Sequence, residues 1–451
     1  MRKMVVFVVL GLLAAVSAHA LDLSGFLKTD WRVRADSSAA ITWNENVFNL
    51  KLKSAVASGA SGFAEIELKN IGFPRAGNLD ELSLYDKTMV APWTLELKEG
   101  YVDISNLFVE GFDLRAGKQR ITWGTADRFN PTDNLNPLDL SDLTDFGRRV
   151  ANTSLKATYY IGDFYAQGVF IPVFTPAVLP ANIQTLYSFP VPPTATFNNT
   201  IVLPETRLES SSFAVKVGGK IFGFDASLSY FYGYDGLPLD KNTTIMCSGT
   251  LPFGVYPTEI SVILSYPKMQ VIGFDLAGSI GDVGVWVEMG YFIPQQFDTA
   301  VTQVHIYAGQ LGPTTTGTKL LEPWLKYTVG TDYTFPVVGI YINAQYCHGF
   351  FDEYTSSDAH SKIRDYLIAQ IDKKFFDDKL KLSLAGFVEM DLAAGAEHFV
   401  KSWTIVPEIT YCPFEATEIV LGAYMLDSWA GGKFESSKNS DEVYLKIKYS
   451  Y

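Results

Sequence analysis

Beyond residue 20, apolar and polar residues alternate one by one along most of the chain. Leu27, Thr29, Trp31 and Val33 are interleaved with Lys28, Asp30, Arg32 and Arg34. In a strand this order gives one apolar and one charged face, whereas a helix would scatter both sets around its axis. The period returns as Phe48, Leu50 and Leu52 against Asn49, Lys51 and Lys53, and as Phe222, Phe224, Ala226, Leu228, Tyr230 and Tyr232 against Gly223, Asp225, Ser227 and Ser229. Later, Leu380, Leu382, Leu384, Val388 and Met390 alternate with Lys381, Ser383, Glu389 and Asp391, and Ile419, Leu421, Ala423 and Met425 with Glu418, Gly422 and Tyr424. The predicted class is all-β.

A secreted β-sandwich or a soluble β-helix also alternates, so segment length and loop rhythm must decide. The segments run to about 10–13 residues, against ~5–6 in globular sheets, which suits a tilted bilayer crossing. Short turns are predicted near Ser58 to Ala60, Asn106 to Gly111, Gly162-Asp163, Gly218-Gly219-Lys220, Ile280-Gly281-Asp282, Thr334 to Val337, Phe376 to Lys379 and Pro413 to Ala416. Between them lie longer, more polar stretches near 35–44, 71–92, 124–149, 174–206, 234–268, 294–320, 350–361, 392–400 and 428–440. Eight turns and nine loops join about 18 strands. The expected architecture is a transmembrane antiparallel β-barrel of about 16–18 strands, with short periplasmic turns and long extracellular loops.

Composition narrows the surroundings. The 451 residues carry 36 Lys+Arg against 49 Asp+Glu, a net charge of −13, which argues against nucleic acid as a partner. Cys247, Cys347 and Cys412 lack the paired spacing of a zinc or redox motif. Arg2 and Lys3, the apolar run Met4 to Val16 and the small residues around Ala18-His19-Ala20 read as a secretory signal cleaved after Ala20. This leaves 21–451 as a single barrel domain. No run of about 18 apolar residues follows, so helical membrane spans are excluded.

The last residues place Val443, Leu445, Ile447, Tyr449 and Tyr451 on one face and Tyr444, Lys446, Lys448 and Ser450 on the other. This ending resembles the C-terminal signature of Gram-negative outer-membrane barrels, in which Phe is the commoner last residue. The segments Gly273-Phe274-Asp275 through Gly281-Asp282 to Trp286, Gly330-Thr331-Asp332-Tyr333-Thr334-Phe335, and Asn343, Gln345, Tyr346, His348 and Gly349 resemble porin-like outer-membrane proteins, as does Trp123-Gly124 to Asp139. The resemblance implies a cell outer-membrane location, contact with outer-membrane lipid and lipopolysaccharide, and recognition of Tyr449 and Tyr451 by the barrel-assembly machinery. General porins are commonly homotrimers.

A barrel of this size encloses a lumen too wide for side chains to fill, so it is a pore or a plugged transporter. Alternation begins at Leu27, which leaves no room for an N-terminal plug. The expected function is a passive channel for small hydrophilic solutes. Glu65, Glu67, Asp113, Arg115, Asp225, Glu288, Lys326, Asp332, Asn343, Gln345 and Glu408 would wet its bore. Closing the barrel brings Lys446 and Lys448 beside Lys28, Arg32, Arg34, Lys51 and Lys53, a basic wall that Asp30, Glu65 and Glu67 partly neutralise. The third long loop, Trp123 to Arg149, carries Asp127, Asp133, Asp139, Asp142 and Asp145. In general porins the third loop folds into the lumen with its acids facing a basic wall, and the resemblance implies the same transverse field here. A structural ladder along the wall, a calcium-binding loop and a surface loop held by Asx-turns are the competing readings.

Trp31, Tyr159, Tyr160, Tyr230, Tyr232, Tyr291, Tyr449 and Tyr451 suit the interfacial girdles, while Tyr101, Phe231, Trp286, Tyr341 and Phe387 are the inward candidates for a sugar slide. His305, His348, His360 and His398 lie in or near predicted long loops without metal-ligand spacing. No nucleophile elbow, phosphate loop or dinucleotide fingerprint occurs, so neither an enzyme nor a cofactor is expected. A solute-selective channel and a non-conducting adhesin or structural surface barrel remain the alternatives.

Overall fold

A computed structural model describes residues 21–451 apart from 58, 83–86, 128, 146, 181–194, 250–254, 308–309, 315–317, 358–362 and 393–397. The proposed signal segment, 1–20, and His360 lie outside the described residues. Eighteen antiparallel strands form one closed sheet. The first nine are β1 (Leu21–Arg34), β2 (Ile41–Ala57), Ala60–Ile71, Trp93–Ile104, Phe112–Gln119, Asn152–Ile161, Phe164–Ile171, Ser212–Ile221 and Phe224–Tyr234. The second nine are Lys268–Ile280, Val283–Pro294, Trp324–Phe335, Ile340–His348, Asp365–Phe375, Leu380–Met390, Val400–Tyr411, Thr417–Ser428 and Glu442–Ser450. Each pairs with the next, and β1 pairs with Glu442–Ser450 to close the ring, Lys28 opposite Lys448 and Thr29 opposite Ile447.

The two-residue period becomes the two faces of this wall. Outward positions such as Leu27, Val217 and Leu228 are 50%, 57% and 63% exposed, forming an apolar coat that suits hydrocarbon, while the inward Asp30 and Glu45 are each 1% exposed. The all-β barrel class read from alternation is the class observed, with connections alternating short and long.

Two readings of the connections are corrected. The turn placed at Gly218-Gly219-Lys220 lies inside a strand, and the chain reverses at Phe222-Gly223, with φ of 52° and 85°. The two glycines serve close packing instead: a Cβ on Gly218 would lie 2.7 Å from the Tyr165 hydroxyl, and one on Gly219 2.4 Å from the Phe164 ring. The turn expected at Thr334 to Val337 falls at 336–339.

The second correction concerns the long connections following Phe164–Ile171, Phe224–Tyr234, Val283–Pro294 and Ile340–His348. Expected as polar loops, they build a second, seven-stranded sheet. Its strands are Thr196–Val202, Leu239–Gly249, Val255–Ser265, Asp298–Tyr307, Gln310–Thr314, Thr318–Glu322 and Thr355–Ser356. Ile260, Val262 and Leu264 alternate and are buried against Phe197 and Ile245, so they obey the same period as the barrel.

Candidate functional site

The third long connection, 120–151, lies inside the barrel. Its first half is held on the strands Val283–Pro294, Trp324–Phe335 and Ile340–His348, eleventh to thirteenth in the ring, and its second half on β1 and β2. In a ring of eighteen these positions are nearly opposite, so the loop crosses the bore as a bar anchored at both ends.

The first anchor is Glu288, fully buried on the wall. Its Oε2 accepts the backbone N–H groups of Thr125 at 2.8 Å and Ala126 at 2.9 Å, and the Asn130 Nδ2 at 3.3 Å. Its Oε1 accepts the Thr132 N–H and hydroxyl, both at 2.8 Å. Five donors thus satisfy one carboxylate that would be costly to bury alone. Close approach requires Gly124 (φ 89°), because a Cβ there would lie 2.4 Å from Oε1. Neighbouring strands add Thr328 Oγ1 to the Phe129 carbonyl at 3.1 Å, Gln345 Nε2 to the Asp127 carbonyl at 2.6 Å and Asn343 Nδ2 to the Asp127 carboxylate at 2.8 Å. Behind this anchor Ile121, Trp123 and Leu135 pack with Phe231, Met269, Phe292 and Trp324 as a core within the lumen.

The second anchor is an ion-pair network. Arg32, 3% exposed, donates to both Asp142 oxygens at 3.0 and 2.5 Å and to both Asp30 oxygens at 3.3 and 2.9 Å. Its guanidinium carbon lies 4.6 Å from the centroid of the Trp43 ring. Arg148 lies 2.9 Å from Asp145, 3.5 Å from Asp142 and 3.8 Å from Glu45, which also meets Lys28 at 2.6 Å. Burial, the largest influence on Asp142, raises its pKa, yet hydrogen bonding and charge from Arg32, with Thr144 and Arg148, hold it below the usual carboxylate range. At Asp133 burial prevails and pushes the group up, although Arg149 lies 3.3 Å away.

The residues selected by sequence divide accordingly. Of the basic wall, Lys28 and Arg32 join the second anchor, while Lys51 stands 3.8 Å from Glu65 and Lys53 is exposed. Glu67, expected to share in pairing with Lys53, lies 3.9 Å from Lys69, because Lys53 stands opposite Phe63. Arg34 bonds the Ser440 hydroxyl at 3.0 Å, Lys446 bonds the Tyr424 hydroxyl at 2.9 Å, and Lys448 lies over Phe26. Among the loop acids, Asp133, Asp142 and Asp145 bind arginines, Asp139 accepts the Ser141 N–H at 3.1 Å, and Asp127 is exposed. At Asp142 the loop therefore lies against the basic wall rather than across water from it. Tyr449 and Tyr451 are outward, 48% and 38% exposed.

Glu288 and Lys326, expected to wet the bore, are instead buried anchors. Glu45 carries no signal in the sequence beyond its place in the inward set with Asn49 and Lys51. His348 ends a strand at the start of the connection 349–364, with Nδ1 2.8 Å from Asp365. Carboxylates held by guanidiniums are poorly placed for calcium, and no group of three or more metal-ligating side chains occurs among the described residues.

These features define a porin-like β-barrel with a loop across its lumen. Among solved structures similar to it, Pseudomonas aeruginosa OccK3 (OpdO) matches with a TM-score of 0.50 at 10% identity, covering 96% of this chain and 95% of that one. OccK8 (OprE) of the same organism gives a TM-score of 0.49 at 12% identity over 96% and 98% of the two chains. Salmonella typhi OmpF gives 0.41 at 8% identity over 96% and 98%. No protein-family model and no curated protein matches the chain.

Proposed function

We propose that the chain is an outer-membrane channel through which small hydrophilic solutes diffuse passively, made as a single barrel, 21–451, after loss of residues 1–20. The observation that carries this reading is the bar across the lumen, anchored at Glu288 and Arg32. It narrows the bore while inward charges remain solvated elsewhere: Glu96 is 43% exposed at its side chain, Lys51 43% and Arg115 25%. In this reading Asp127 and Asp145 on the loop, with Lys28, Lys51, Lys53 and Lys448 on the wall, set the charge preference at and below the constriction. Outer-leaflet lipopolysaccharide and the assembly machinery are its surroundings, and three copies its expected assembly.

Planar-bilayer reconstitution tests the proposal. Discrete ion steps are expected, and Lys51→Glu with Lys53→Glu should shift selectivity toward cations. The seven-stranded outer sheet favours a second reading, a sealed barrel that presents a surface for binding. A reconstituted, correctly folded barrel without steps would favour that reading and overturn the channel.

A further inference from the structure

A cavity of about 120 Å³ lies between the inward loop and the wall behind it, under the connections at 172–175, 235–237 and 349–351. Phe129, Phe231, Met269 and Phe292 give it apolar walls, and its charged lining residues are Asp133, Arg149, Asp235 and Lys326. Asp133 and Arg149 neutralise each other at 3.3 Å. The acids of the neighbouring connection are also engaged, Asp352 with Lys433 at 2.6 Å and Glu353 with Lys433 at 3.4 Å.

Lys326 and Asp235 differ from these pairs. The Lys326 ammonium, in a side chain 6% exposed, donates to the Phe350 carbonyl at 2.6 Å and the Phe351 carbonyl at 3.1 Å, which leaves one of its three N–H groups over. Asp235 Oδ1 accepts the Leu237 N–H at 2.9 Å. Among the described residues neither has a counter-charge within ion-pair distance, although both line the same cavity. A buried cation and a nearby anion held apart fit a guest carrying both signs.

We propose that this cavity binds a small zwitterion, an α-amino acid with a short apolar side chain, its carboxylate on Lys326 and its ammonium on Asp235. The side chain would lie against Phe129, Met269 and Phe292. At about 120 Å³ the cavity is smaller than the ~150 Å³ one that binds benzene, so it admits a guest no larger than benzene, a limit that an amino acid with a one-carbon side chain meets.

Calorimetry on the full-length barrel in detergent tests this with L-alanine, propionate and ethylamine. L-alanine should bind at least about tenfold more tightly than either half-ligand. Asp235→Asn should weaken L-alanine by about tenfold or more while leaving propionate as tight or tighter, and Lys326→Met should abolish both. Lys326 also holds two carbonyls, so Asp235→Asn, checked for native heat-modifiable migration, is the deciding variant. Absence of L-alanine binding, equal binding of propionate, or an unchanged Asp235→Asn protein would each overturn the proposal and leave a water-bridged pair. The site does not depend on conduction: binding without ion steps would sink the channel reading alone.

Discussion

Glu288 and Glu96 are both carboxylates on barrel strands pointing into the bore, yet they live in different solvents. Glu288 is fully buried beneath five donors from one loop, while Glu96 is 43% exposed and meets Lys98 and Lys118 at 3.4 and 3.5 Å. Period-two polarity assigns both to the inner face. What separates them is the loop, which fills one sector of the lumen with protein and leaves the other to water. An inward charge is thus an anchor where the loop reaches it and a lining residue where it does not.

The sharpest way to break this contrast is Glu288→Ala. It leaves three backbone N–H groups, a hydroxyl and an amide buried without their acceptor, so a loss of about 4–5 kcal/mol is expected. Urea unfolding of the folded barrel should show it, together with larger and noisier conductance and protease cleavage within 120–151. Loss below about 1 kcal/mol would mean that the loop is not held there.

At the other end of the bar, Arg32→Ala should cost about 3 kcal/mol, since it strands Asp30 and Asp142 together. In a double-mutant cycle with Asp142→Asn, a coupling of about 1–3 kcal/mol is expected, and additive losses would show that the two act independently.

The sequence displays the wall far better than the anchors. Alternation is local, and each barrel strand except a few glycine-containing stretches writes its own two faces. Gly218-Gly219 misleads because glycine serves both reversal and close packing, and only the rings of Phe164 and Tyr165 show which applies. The outer sheet is hidden because Ile260, Val262 and Leu264 find their cover in Phe197 and Ile245, residues from other parts of the chain. Glu288 meets Thr125 and Ala126 across 163 and 162 positions, and Arg32 meets Asp142 across 110. Such pairs leave no periodic trace. Gly124 is visible in the sequence only as a loop glycine, though its lack of a Cβ is what lets the loop approach Glu288.

Acid distinguishes two carboxylates within the loop itself. Asp142 is depressed in the folded state, so its contribution is full above its unfolded pKa of ~3.9 and is lost as pH falls through its lower folded value. Asp133 is raised, so the folded state takes up its proton first, and its contribution becomes less favourable as pH rises from ~3.9 through the folded value. Stability measured between pH 3 and 7 should therefore have limbs of opposite slope. Asp142→Asn should flatten the acid limb and Asp133→Asn the other. A single monotonic limb unaffected by either variant would contradict the assigned directions.

The smallest stability effect belongs to the solvated sector. Glu96→Gln removes a charge that water already screens and that two half-buried lysines share, so its effect on unfolding should stay within about 0.5 kcal/mol. Its consequence should instead appear in ion selectivity, as a modest shift toward anions in a bilayer at low salt that fades near 1 M, where the Debye length falls to ~3 Å. The pairing of a silent stability change with a salt-dependent selectivity change is what identifies a lining residue. A stability loss comparable to that at Glu288, with no change in selectivity, would instead place Glu96 among the anchors and remove the open sector on which conduction depends.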